Sequence, residues 1–181
     1  MPDSINGQPN TNKNYFGTTQ MEWLKNALLF SNATFKIIAT GSQVLNSYSV
    51  VECMRHYSAE YNELMDFIDS QKLQGVIFFT GDRHHSEVIK QNRKGLYPLY
   101  DVTVSPYTSG VSKVRGVEIN NEARVAGTLV EEQNFGKITV SGKPNERILK
   151  VEFIGVKGDK LGEWSVSEKE VKNAGSLPST R

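Results

Sequence analysis

The sequence predicts an α/β fold: a mixed sheet with two main helices, followed by an antiparallel portion. Three observations lead there. Two short apolar runs, 35–40 and 75–80, have the character of buried parallel strands. Between them, residues 58–70 carry Tyr61, Leu64, Met65 and Ile68 on one helical face, which completes a strand–helix–strand unit with a right-handed crossover. Farther on, residues 147–156 alternate. Leu149, Val151 and Phe153 fall on one side and Lys150 and Glu152 on the other, as in an antiparallel sheet with one wet face.

The elements follow in order. Residues 1–16 hold nothing periodic to bury and read as a linker or loop. Thr19 and Glu22 then have capping-box spacing, and Met21, Trp23, Leu24, Ala27 and Leu28 form one apolar helical face that stops at Ser31-Asn32. Gly41-Ser42 ends the first strand, and a polar stretch leads to Ser58, the predicted cap of the second helix. Residues 99–104 predict a strand ended by Ser105-Pro106, and 107–125, rich in Ser, Gly and Asn, predict a long loop. Strands are expected at 135–140, 147–156 and 162–166, with Lys157-Gly158-Asp159-Lys160 as the hairpin turn. Residues 167–181 read as a flexible tail.

Bulk properties narrow the function. A chain of 181 residues suits one domain with a sizeable core. A net charge of +1 without any block of like charge offers no footprint for nucleic acid or anionic lipid. Cys53 is the one cysteine, which excludes an internal disulfide or a thiolate zinc cluster and reads as a buried, idle thiol. No stretch approaches the ~20 apolar residues of a spanning helix. Residues 1–14 lack the basic start and apolar run of a signal peptide.

Chemistry concentrates in Thr80-Gly81-Asp82-Arg83-His84-His85-Ser86-Glu87, directly after the second buried strand, where α/β folds bind ligands. In an extended turn, Asp82 and His84 would project to the same side, about 6–7 Å apart at ~3.3 Å per residue. Such a pair could serve two metal ions or one. Two readings of the segment stand: a metal site, or a Gly-Asp turn with solvated histidines.

A resemblance adds to this. The run Gly17-x-x-Gln20-x-x-Trp23-Leu24 and then Ala33-Thr34-Phe35-Lys36 leads to Gly41-Ser42-Gln43-Val44-Leu45. After these come Gly75-Val76, Gly81-Asp82-Arg83-His84, Tyr97-Pro98-Leu99-Tyr100, Ser105-Pro106, Arg124-x-x-Gly127-Thr128 and Asn134-Phe135. In order and spacing these blocks resemble the PhoD-like (alkaline phosphatase D) phosphatases, over residues 17–166. The resemblance implies the C-terminal half of a calcineurin-like metallophosphoesterase domain, part of an αββα sandwich with metals at the strand ends.

It further implies hydrolysis of phosphate mono- or diesters with divalent or trivalent metal ions (calcium, iron, manganese or zinc) that polarise phosphoryl oxygens and activate water. By the match, His84 and Asp82 are the implied metal ligands. Gln43, where the wider superfamily has a metal-binding histidine, becomes a substrate or supporting contact. Arg83 is a candidate for stabilising transition-state charge, or for a structural ion pair with Glu87. His85 is a candidate proton donor to the leaving oxygen, or a residue that orients His84. Asn134 and Ser105 are further candidates, and His56 reads as a satisfied or exposed histidine.

Relatives are often exported to the periplasm or cell envelope. The family's N-terminal ligand blocks are not in this sequence, so the chain is expected to be incomplete and inactive by itself. The expected partners are a phosphate-ester substrate and the missing N-terminal half, or self-association through exposed apolar sheet surface. Two alternatives differ in class: a non-catalytic binding module of the same fold, and a metal-independent histidine phosphatase that uses Arg83-His84.

Overall fold

A computed structural model describes residues 4–10, 13–49 and 51–173. The chain opens with a small hairpin, β1 (Ser4–Ile5) and β2 (Gln8–Pro9), inside the segment read as a linker. Asn6 and Gly7 join the two at φ 53° and 76°, the pair of positive angles that a two-residue hairpin turn requires. The backbone N–H groups of Tyr15, Phe16 and Gly17 then donate to the buried Glu60 carboxylate at 2.7–2.8 Å, fixing the entry into the first helix.

α1 (Thr18–Phe30) buries Met21, Leu24 and Leu28, one stripe at helical spacing. The capping box expected from Thr19 and Glu22 does not form. The helix starts at Gly17, so Thr19 already lies inside the first turn and cannot cap it. Trp23, placed by the sequence on the apolar face, is 66% exposed. β3 (Lys36–Ala39) and α2 (Ser58–Ser70) follow; Tyr57, not Ser58, occupies the cap position of α2, and the four apolar residues expected inside are buried.

β4 (Val76–Thr80), β5 (Glu87–Arg93) and β6 (Leu96–Thr103) complete a four-stranded sheet in the order β3-β4-β6-β5. The first three are parallel, and β5 runs antiparallel to β6. The register sorts side chains between two faces. Ile38, Phe78, Thr80, Asp101, Thr103, Glu87 and Gln91 share one face, and the Tyr61 hydroxyl of α2 donates to Gln91 there. Ile77, Phe79, Tyr100 and Val102 share the other.

That second face meets an antiparallel sheet of β7 (Asn134–Ser141), β8 (Ile148–Gly155) and β9 (Lys160–Ser167), where the Tyr100 and Trp164 rings lie 4.9 Å apart. Leu149, Val151, Phe153, Trp164 and Val166 are buried in the same core. The fold is thus helices, mixed sheet and antiparallel sheet in layers, as the alternation in 147–156 predicts. Phe135 and Ile148 are exposed on the outer face of that sheet. Ile138 and Val140 on β7 and Ile37 on β3 are exposed although their register places them on the faces that the two sheets turn toward each other.

Two details tie the ends down. Gly75 sits at φ 75°, where a Cβ would meet the Thr34 carbonyl oxygen at 2.0 Å, so only glycine fits. Its N–H donates to the Val171 carbonyl at 2.9 Å, and Val171 is buried. The part of the tail that is described, to residue 173, therefore packs against the start of β4; 174–181 lie outside the described residues. No helix among the described residues is long and apolar enough to cross a membrane.

Candidate active site at the β4–β5 turn

The chain leaves β4 through a tight reversal. The Arg83 N–H donates to the Gly81 carbonyl at 2.8 Å across Asp82, whose φ is 63°. This is a three-residue γ-turn of the rare positive-φ kind. His84 also lies in the left-handed region, at φ 60°. Two such residues within three positions store backbone strain, a feature concentrated at functional sites. The extended geometry expected for 82–84 is therefore not what forms. Asp82 and His84 nevertheless line one cavity of about 480 Å³, together with Arg83, His85, Lys113 and Arg115.

His84 is held from three sides. Its Nδ1 lies 2.5 Å from the Gly110 carbonyl oxygen. A carbonyl only accepts, so Nδ1 carries the hydrogen and Nε2 is the lone-pair nitrogen of the neutral ring. The His84 N–H donates to Ser105 Oγ at 3.0 Å, and its carbonyl accepts from the Ser112 N–H at 2.8 Å. Asp82 is exposed beside it. His56, by contrast, is half-buried at the end of a short 3-10 turn, Met54–His56, away from this cluster.

The other half of the turn points inward. Arg83 does not pair with Glu87. Its Nη2 donates to both oxygens of Glu118 at 2.6 Å, and its Nη1 to Ser49 Oγ at 2.7 Å. Glu87 takes Arg124 instead, with Nε donating to Oε2 at 2.6 Å. The reason lies in the turn, which sends Arg83 toward the 116–120 segment while Glu87 enters β5 on the face shared with Thr103.

Gln43 is fully buried and spent: Nε2 donates to Glu87 and Thr103 at 2.8 Å each, and Oε1 accepts from Asn46 at 2.9 Å. His85 is 2% exposed, with Nδ1 3.2 Å from the Ser112 carbonyl and Nε2 3.5 Å from Glu87 Oε1. Asn134 is buried too, accepting from Ser86 Oγ at 2.9 Å and donating to the Glu132 carbonyl at 2.8 Å.

Two carboxyls under the turn are shifted in opposite directions. Burial pushes Glu87 up, yet the contacts from His85, Gln43 and Arg124 outweigh it and hold the carboxyl at about 2. Burial raises Asp101 to about 6. The Thr80 hydroxyl at 2.6 Å and the Leu45 and Val44 N–H groups at 2.9 and 2.6 Å offset only part of that, and the Glu87 charge adds to it. Cys53 is buried, and burial raises its thiol.

A sequence profile of PhoD-like phosphatases matches residues 3–156. The chain belongs to the PhoD-like phosphatase family. A solved structure of PhoD is similar with a TM-score of 0.65 and 17% identity, covering 89% of this chain and 35% of that one, a likeness of fold. The chain spans about a third of the length of that PhoD. No curated protein matches it.

The family implies a metal, and the residues present fit one in part. An imidazole whose Nδ1–H is anchored on a carbonyl, leaving Nε2 open, has the arrangement that metal-ligating histidines adopt. The exposed Asp82 carboxylate adds a second donor on the same cavity. Among the described residues, no group of three or more His, Cys, Asp or Glu side chains could hold an ion. The described residues thus present at most one or two candidate donors here and not a closed shell.

Several residues that shape this PhoD-like site carry no short-range signal. Glu118, Asp101 and Arg124 lie 17 to 40 positions beyond His84 and reach the site only through folding. Arg124-x-x-Gly127-Thr128 served only to carry the resemblance; its role here is to clamp β5. Thr128 Oγ1 accepts from the Val88 N–H at 3.0 Å while Arg124 pairs with Glu87, and Ser86 bridges Val130.

Proposed function

We propose that this chain takes part in metal-dependent hydrolysis of phosphate mono- or diesters, with Asp82 and His84 as its contribution to metal binding. The observation that supports this most directly is the anchored His84 ring, fixed through Gly110 with Nε2 left open on a cavity at the carboxyl end of β4. Ser105 positions the His84 backbone, and Ser86 and Asn134 in turn hold Ser105. When bound, a metal ion supplies Lewis acidity toward phosphoryl oxygen.

The remaining candidates support the site from beneath. Arg83 has its charge balanced by Glu118, which leaves little of it for a transferred phosphoryl group and weighs against a histidine-phosphatase site built on Arg83-His84. His85, enclosed between Ser112 and Glu87, braces the turn. Gln43 and Asn134 act as internal struts.

The test is hydrolysis of chromogenic phosphate mono- and diesters by the chain combined with the remaining part of a PhoD-like domain, with calcium, manganese, iron or zinc, run with His84→Ala in parallel. Metal-requiring activity that disappears in His84→Ala is the expected result. Activity that needs no metal, or that survives His84→Ala, would overturn the reading.

A further inference from the structure

We infer that Lys113 and Arg115 form an anion subsite beside His84, one that takes a second phosphate group on the substrate, distinct from the phosphate at His84. The inference deepens the phosphoesterase reading and rests on it for the identity of the first phosphate.

The cavity that His84 lines continues to Lys113 and Arg115, and its volume of about 480 Å³ lies within the ~300–1,000 Å³ that ligand pockets occupy. Charges on its walls do not cancel. Arg83 and Glu118 neutralise each other at 2.6 Å, which leaves Lys113 and Arg115 against Asp82 alone. Arg93, Arg124 and Lys150 each meet a carboxylate; among the described residues Lys113 and Arg115 meet none. If Asp82 serves a metal, the balance becomes more positive still.

The two cations are also presented in a fixed way. Exposure alternates along the segment: Lys113 and Arg115 are exposed and Val114 between them is half-buried. Both cations line the same cavity as His84. The backbone is clamped on both flanks. Ser112 N–H donates to the His84 carbonyl at 2.8 Å, and Val114 N–H donates to Glu131 Oε1 at 2.8 Å. Glu131 is occupied by the backbone and forms no ion pair with either cation. The first clamp is on His84 itself, so the subsite and the candidate ligand move as one unit. Two cations set on an ordered loop need little reorganisation to hold a phosphate, which favours charge-assisted binding.

Calorimetric titration of the chain with pyrophosphate and with inorganic phosphate tests this without turnover. Pyrophosphate is expected to bind about tenfold or more tightly than phosphate, the size of one charge-assisted hydrogen bond. Substituting both cations (Lys113→Ala with Arg115→Ala) is expected to remove that advantage. Lys94→Ala, an exposed cation on the β5–β6 turn, is expected to change neither.

Equal affinities, a double variant that keeps the preference, or a loss in Lys94→Ala as large as in the double variant would each overturn the subsite. These failures are separable from failure of the hydrolytic reading. Ester hydrolysis without a pyrophosphate preference removes the subsite only, and a preference without hydrolysis under any metal removes the hydrolytic reading only.

Discussion

At the β4–β5 turn Asp82 is exposed and His84 half-buried, whereas Arg83, His85 and Glu87 are buried beneath them. The inward set is mostly engaged: Arg83 with Glu118 and Ser49, Glu87 with Arg124 and Gln43, and His85 Nδ1 with Ser112, while the buried Arg83 Nε and His85 Nε2 have no hydrogen-bond partner among the described residues. On the outward side, His84 has one ring nitrogen tied down and the other open, and Asp82 is exposed. Residues of the same chemical types, one position apart, therefore do different work. What separates them is burial, and the strained γ-turn at Asp82 is the device that divides them.

The comparison can be broken most forcefully from the inside. Arg124→Ala leaves the Glu87 carboxylate buried without its closest cation, and removing one partner of a buried pair costs about 3–5 kcal/mol. A urea midpoint that falls steeply is expected. A midpoint that stays in place would mean the inner network carries no structural load.

Next in size is the pH response of the two buried carboxyls, which carry opposite signs. The Glu87 group is held at about 2, below its ordinary value of 4.5. Its contribution is complete above about pH 4.5 and is lost as pH falls toward about 2. Asp101 is raised to about 6 from 3.8, so the folded state loses stability as pH rises from about 4 to about 6. Asp101→Asn should flatten the limb between about pH 4 and 6, and Glu87→Gln the limb below about 4.5, in urea titrations across that range. An unchanged slope in the Asn variant would show that Asp101 is not shifted.

On the outer side the expected effects on stability are small. Asp82→Gly removes the steric cost of a side chain at φ 63° and should leave the unfolding free energy unchanged or raise it by up to about 1 kcal/mol. His84→Ala, which loses the bond from the ring to the Gly110 carbonyl, should cost about 1 kcal/mol. A large loss in either variant would erase the distinction between the two halves of the turn.

Much of the fold was legible from apolar pattern. The face of α2, the run of β4 and the alternation of Leu149, Val151 and Phe153 were all readable, because burial drives each and burial has a period. β5 was not. Its outer half reads Lys90-Gln91-Asn92-Arg93, and its strand character comes from pairing with β6 and from the 121–130 segment that closes over it.

In the site, the segment 80–87 was legible because Asp, Arg and two His residues follow a buried strand. The partners were not, since Arg83 reaches Glu118 and Glu87 reaches Arg124 across 35 and 37 positions. Proximity in sequence favoured an Arg83–Glu87 pair; the turn geometry forbade it. Gln43 likewise drew attention by its place after β3, and only its full set of internal bonds explains why it is there.

The most direct measurement is a zinc titration followed through imidazole nitrogen shifts, tractable because the chain has 3 histidines. The expected result is a shift of His84 Nε2 on binding, with His85 and His56 unmoved and the shift abolished in Asp82→Asn or weakened by it. A shift at His85 first, or none at His84, would contradict the division of this turn into an outer site and an inner brace.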